Sequence, residues 1–131
     1  MLKGNISEDY SGTFLTLKGF PAQESAVIEK EDIPYIKITV DRIPVLEYIY
    51  VPERMRGHKL SYGLLEVLFE YQEQQGIEFL KFECISKPYW RKVLQKFPKR
   101  ILLPQTVLQK TNLGIVKLPH VKDTSINIGK L

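Results

Sequence analysis

Within six residues the chain places Arg54, Arg56, Gly57, His58 and Lys59, four basic side chains and a glycine if the histidine is counted. An alternating apolar run, VLEYIYV, leads into this cluster at Pro52, and an apolar helical pattern follows it from Leu60. Strand, charged glycine-containing turn and helix, in that order, are how a chain builds an anion site. Turn amides and first-turn N–H groups have no internal partners and point at a ligand. The plainer alternative is a solvated turn that joins two elements. Other chemistry is poorly represented. His58 and His120 are distant from one another, and two such histidines do not make a metal site, so no metal is expected. The single cysteine, Cys84, allows neither an internal disulfide nor a thiolate cluster, and its flanks FLKFECIS read as a buried strand holding a packed thiol.

The elements around the turn follow from hydrophobic periodicity. Residues 1–12 are polar without a clear period and read as a frayed end or short lead-in. Thr13–Lys18 is a strand candidate closed by Gly19-Phe20-Pro21, and Ser25–Glu29 a second short one. Ile33–Val40 alternates as a strand beginning at or after Pro34, Asp41–Pro44 turns the chain, and Val45–Val51 completes an antiparallel hairpin. Ser61–Gln75 is the strongest helix, with Leu60, Leu64, Leu65 and Leu68 at three- and four-residue steps and Gly76 at the expected C-cap. Ile77–Ile85 reads as a strand and Ser86–Phe97 as a shorter helix with Ser86 at its N-cap and Pro98 ending it. Arg100–Leu103, Val107–Leu108 and Leu113–Leu118 are further strand candidates, and residues 119–131 are tail or edge structure. The expected class is α+β, a mixed sheet in which one crossover helix joins neighbouring parallel strands.

At 131 residues the expectation is one domain, 1–131, with a genuine core. No segment approaches the roughly 18–20 apolar residues of a membrane span, and MLKGNISEDYSG has no apolar signal core, which points to a cytoplasmic protein without membrane contact. The net charge of +4 conceals a split: residues 1–85 carry nine Lys/Arg against fourteen Asp/Glu, and residues 86–131 carry ten against one. The basic third could attract an anionic ligand, nucleic acid or an acidic partner, or the two halves could complement one another within the fold or a homodimer. No aromatic–basic interleaving or helix-turn-helix spacing accompanies the charge, so nucleic acid is a minor hypothesis.

Val51–Leu68, VPERMRGHKLSYGLLEVL, resembles the GCN5-related N-acetyltransferase (GNAT) superfamily of acyl-CoA-dependent acyltransferases. In that family a strand ending in a V-x-P-like segment is followed by Q/R-x-x-G-x-G/A and a helix, whose amides hold the coenzyme A pyrophosphate. Arg54-x-x-Gly57-x-Lys59 matches the first half. Registered on the helix, Arg56–Ser61 followed by Tyr62-Gly63-Leu64-Leu65 looks like R-G-x-G-x-G-x-x-L-L, with Lys59 and Ser61 replacing two small residues. Ile77–Ile85 looks like the family's fifth strand. SKPYWRKVLQKF looks like N-x-x-A-x-x-x-Y-x-K-x-G-F, with Ser86 near the Asn and Lys92 or Val93 at the tyrosine position. The match spans about Ile33 to Phe97, and the region before it is shorter than the family's strand plus two helices. An N-terminally truncated GNAT fold that a partner subunit could complete is the resulting expectation.

The resemblance implies acetyl-CoA, or another acyl-CoA, as cofactor and an amine of a small molecule or protein as acceptor. Ile49, Tyr50 and Val51 would then bond the pantetheine, and Arg56, Gly57, His58, Lys59, Leu60 and Ser61 would surround the pyrophosphate. Glu47 is the expected base, since the family often carries a glutamate on this strand, and its alternative is an exposed carboxylate pairing with a basic residue of a neighbouring strand. Tyr89 is the expected substitute for the family's tyrosine acid, with Tyr62 as the other choice. Two readings stay open: an N-acetyltransferase, and a relative of weak or no catalysis serving CoA binding, protein interaction or assembly.

Overall fold

The computed structural model describes residues 4–20, 28, 32–41, 43–57, 59–82, 92–97, 101–102, 114–118 and 120. The chain divides into two compact units, one of residues 1–39 and 46–75 and the other of residues 40–45 and 76–131. Among the described residues there are seven strands and one long helix, a mixed α+β architecture consistent with the acyltransferase resemblance.

The first unit begins with a hairpin where a polar lead-in is expected. Strand β1, Gly4–Asp9, pairs antiparallel with β2, Gly12–Leu17, from Gly4 opposite Leu17 to Asp9 opposite Gly12. The two-residue turn Tyr10-Ser11 is fixed by Asp9, whose Oδ1 accepts from the Ser11 amide at 2.8 Å and the Ser11 hydroxyl at 2.6 Å. That local carboxylate cap is ordinary turn chemistry for Asp. At the far end Asn5 Nδ2 donates to the carbonyls of Leu17 and Phe20 at 3.2 and 3.1 Å, tying the hairpin to the bend that follows. The expectation of a structureless start is therefore corrected. The cause is that β1 is half-buried along almost its whole length and shows no apolar alternation.

Strand β2 pairs antiparallel with β3, Tyr35–Asp41, with Phe14 opposite Lys37 and Leu15 opposite Ile36. Strand β4, Ile43–Tyr50, follows after a single residue, so the turn expected over 41–44 is tighter and both strands reach into it. Register divides the unit's sheet into two faces. Leu15, Leu17, Ile36 and Ile38 lie on one. Phe14, Tyr35 and Lys37 lie on the other, where Phe14 and Tyr35 cluster with Ile28 and Ile33. Ile28 is helical and fully buried, which corrects the strand expected over Ser25–Glu29 at that residue; the rest of that stretch lies outside the described residues.

Helix α1, Leu60–Gln74, packs on β2. Its buried residues Leu64, Leu65, Val67, Leu68, Phe69, Tyr71 and Gln72 form a face wider than the leucine stripe alone. Gly63 lets the helix sit close to the sheet: a β-carbon there would stand 3.2 Å from Leu17 Cδ2. The close approach accounts for a residue that costs about 1 kcal/mol in helix propensity. The helix ends at Gln75 and Gly76, as the sequence leads one to expect.

In the second unit β5, Phe79–Phe82, pairs antiparallel with β7, Gly114–Lys117, and β7 pairs antiparallel with β6, Ile101–Leu102, giving the order β5-β7-β6. Leu80 is opposite Val116, and both are fully buried. All four residues of β5 are buried, so the strand reads as a continuous core element rather than an alternating one. It starts at Phe79, two residues later than expected. Lys92–Leu94 is helical within the stretch expected to be a helix, with Val93 and Leu94 buried, and turns end it at Phe97. Cys84, Ser86, Tyr89, the strand expected at Val107–Leu108 and all of 119–131 except His120 lie outside the described residues.

Candidate functional site

The turn between β4 and α1 belongs wholly to the first unit. Pro52 is buried and starts a 3-10 turn over Glu53–Met55, closed by Met55 N donating to Pro52 O at 2.9 Å and Arg56 N to Glu53 O at 3.2 Å. Arg56 Nε folds back to Val51 O at 3.1 Å, joining the end of the strand to the start of the next segment. Gly57 then takes φ +88, and Lys59 takes φ 58, ψ 26, the left-handed conformation that L side chains resist. Lys59 is the N-cap of α1 yet makes no side-chain capping bond. Tyr62 N and Gly63 N donate to Lys59 O, whereas the amides of Leu60 and Ser61 meet no acceptor among the described residues.

Of the residues expected around a pyrophosphate, Arg56, Gly57 and Lys59 are exposed, and Leu60 and Ser61 are half-buried at the helix start. Ile49, Tyr50 and Val51 are half-buried at the end of the strand. The structure therefore brings these eight together along one segment. His58, Ser86 and Tyr89 lie outside the described residues. Tyr62, the other tyrosine considered as an acid, is half-buried in the first turn of α1.

Glu47 is exposed on β4, and its Oε1 is 3.6 Å from Lys37 Nζ on β3. This is the pairing with a neighbouring strand that the sequence leaves open as the alternative to a base. The contact also reveals an irregularity. On β3, Tyr35 and Lys37 share a face, yet they reach the consecutive residues Tyr48 and Glu47 of β4. A regular strand sends consecutive side chains to opposite faces. Burial along β4 runs in pairs as well: Val45 and Leu46 buried, Glu47 and Tyr48 exposed, Ile49 and Tyr50 half-buried. The alternation thus breaks at Glu47–Tyr48, four residues before the turn.

Sequence reasoning missed the groups that surround the turn. Tyr35, Tyr48 and Tyr50 pack together with ring centroids 5.6–6.2 Å apart, the last two rings nearly parallel, and Tyr35 continues the group to Phe14 at 5.7 Å. Alternation of tyrosines in LEYIY was the available signal. Asp32 gave none, because its partners lie 18 and 22 residues away. Its carboxylate accepts from the Tyr50 hydroxyl and from Arg54 Nη1 at 2.6 Å, and its carbonyl accepts from Arg54 Nη2 at 2.9 Å. The Tyr50 hydroxyl bond, with the Arg54 bond and charge behind it, holds the Asp32 carboxyl below its ordinary range against a partial loss of solvation. The same bond to Asp32 pushes the Tyr50 phenol up. Arg54, counted above among the basic groups of an anion site, is thus engaged with a carboxylate.

Among the described residues no group of three or more His, Cys, Asp or Glu could hold a metal ion, and no helix is long and apolar enough to cross a membrane. No protein-family model matches the chain, and no curated protein or solved structure does.

Proposed function

We propose that the chain is an acyl-CoA-dependent N-acyltransferase that moves an acetyl group from acetyl-CoA to an amine, using the turn after β4 as the coenzyme's pyrophosphate site. The observation that carries the reading is the backbone of that turn. Lys59 adopts a left-handed conformation at the position where the resembled motif carries a small residue, and the amides of Leu60 and Ser61 behind it meet no acceptor among the described residues. A side chain that resists the conformation is held in it, which supports reading the turn as an anion loop. The mixed α+β arrangement is compatible with a coenzyme A-binding fold.

In this reading the amides of Gly57, His58, Lys59, Leu60 and Ser61 and the charges of Arg56 and Lys59 hold the pyrophosphate. Ile49, Tyr50 and Val51 run alongside the pantetheine. The neutral amine attacks the thioester carbonyl, a C–N bond forms and the C–S bond breaks. Glu47, directly or through water, takes the amine's proton, and the thiolate leaves to be protonated by an acid, for which Tyr89 is the candidate. Ser86 stands where the family's motif has an asparagine.

One observation favours the second reading, a coenzyme-binding or assembly module of weak or no catalysis: the pairing of Glu47 with Lys37 occupies the carboxylate that would serve as base. Calorimetry with acetyl-CoA, followed by a free-thiol assay over a panel of amines, separates the two. Heat of binding and amine-dependent thiol release that falls about 100-fold in Glu47→Gln support the transferase. Binding without release in any amine supports the module. Absence of both heat and thermal shift at millimolar acetyl-CoA sinks the coenzyme reading altogether.

A further inference from the structure

The turn is shaped from outside itself. Tyr50 is the last residue of β4 and Arg54 lies in the 3-10 turn, so Asp32 holds both flanks of Val51-Pro52 at once. Within the turn the Arg56 to Val51 bond adds a second tie. Asp32 itself has φ 53, a left-handed conformation that Asp tolerates better than most residues, and this conformation accompanies the presentation of its carboxylate and its carbonyl to the same guanidinium. Its footing is firm. The next residue, Ile33, and Tyr35 are buried in the cluster with Phe14 and Ile28, against which Tyr50 also packs.

Asp32 and Arg54 are about half exposed, with side-chain accessibilities of 52% and 54%. Exposed ion pairs contribute little to global stability. Three ties converging on one residue nonetheless restrict a short segment strongly, because among the described residues the segment's other hydrogen bonds are those of the turn itself.

We propose that Asp32 is a positioning residue for the anion loop: it fixes the approach of the chain into Arg56–Ser61 and keeps Arg54 off the ligand, leaving Arg56 and Lys59 as the cations that meet it. The proposal rests on the coenzyme reading for its ligand but not for its local mechanics. Preorganisation of a loop improves affinity by removing the ordering cost at binding. Releasing Arg54 therefore weakens binding even though it frees a positive charge.

The test compares wild type with Asp32→Ala and Asp32→Asn by three measurements: trypsin cleavage after Arg54 and Arg56, the urea unfolding midpoint, and coenzyme A affinity by calorimetry. In Asp32→Ala cleavage at the two arginines rises by about tenfold and coenzyme A binds about three- to tenfold more weakly, while the unfolding midpoint falls only slightly, far less than the rise in cleavage would require. Asp32→Asn keeps the shape and one acceptor oxygen without the charge, and its cleavage rate falls between the two. Cleavage unchanged in Asp32→Ala overturns the proposal, as does tighter binding of coenzyme A. A midpoint that drops in proportion to the rise in cleavage also overturns it, by assigning Asp32 a merely structural part. If wild type gives no heat with coenzyme A, the coenzyme reading fails and the cleavage comparison still decides whether Asp32 shapes the turn. Tyr50→Phe, which removes one hydroxyl and keeps the packed ring, carries the comparison should Asp32→Ala not fold, with faster cleavage supporting the tie and equal cleavage refuting it.

Discussion

Lys59 stands where the resembled motif carries a small residue, and its backbone is left-handed. Its sequence position predicts a loss of backbone freedom relative to glycine, and the structure keeps the left-handed conformation nonetheless. A non-glycine residue held there costs about 1–2 kcal/mol, and glycine gives back part of that through the greater entropy of the unfolded chain. Lys59→Gly is expected to stabilise the protein by up to about 1 kcal/mol in urea denaturation, while weakening anion binding through loss of charge. The type of this residue was legible; its conformation was not, because φ is set by the elements on either side. Asp32 was illegible for a different reason, since no local pattern announces a carboxylate whose partners come from a strand end and a turn. Its protonation gives a second expectation. The folded-state pKa is depressed, so its contribution is fully present above the ordinary aspartate value of about 3.9 and is lost as pH falls through the lower folded value. The acid limb of the stability profile should therefore be shallower in Asp32→Asn, as followed by circular dichroism. The Tyr50 phenol is shifted the other way, so its contribution is complete below the ordinary phenol range and disappears as pH rises through a higher folded value.

Among the elements, α1 was the most legible, because leucines at helical spacing and the glycine at its end leave little freedom of interpretation. Its breadth was not. Gln72 is fully buried on the helix, and neither its amide nitrogen nor its oxygen has a hydrogen-bond partner among the described residues. A buried, unpaired amide costs about 1–3 kcal/mol, and a polar letter gives no hint that tertiary packing will enclose it. Gln72→Met, close in volume and without polar ends, is expected to raise stability by about 1–2 kcal/mol, read as a higher unfolding midpoint. Strand β1 was missed for the converse reason: its partner β2 supplies the hydrogen bonds and the burial, so a polar segment with no period of its own becomes a strand by pairing. Strand β5 was legible as a strand, whereas the enclosure of Lys81 along with its three apolar residues was not. Burial on both faces depends on what covers the sheet, and the strand's own letters do not record it.

For the molecule as a whole, composition indicates a folded domain, and its charge is divided, with residues 86–131 strongly basic and residues 1–85 acidic. If the turn holds coenzyme A, binding must appear as stability of the folded chain. Acetyl-CoA at about 100 times its dissociation constant is expected to add about 2.7 kcal/mol and to raise Tm by roughly 10 °C for a chain of this size. Differential scanning calorimetry measures this, and the increment should shrink at a fixed acetyl-CoA concentration as added salt weakens the contacts of Arg56 and Lys59. The polar character of β1 bears on behaviour at high concentration. Among the described residues it is the outer strand of the first unit's order β1-β2-β3-β4, and an outer strand can offer backbone groups to another chain. Here that rim is six residues long, carries the exposed carboxylate of Glu8 and is poor in apolar side chains. The hairpin thus closes the first unit with an edge that discourages strand-to-strand aggregation, and the polarity that hid β1 in the sequence protects the protein from pairing with its own copies.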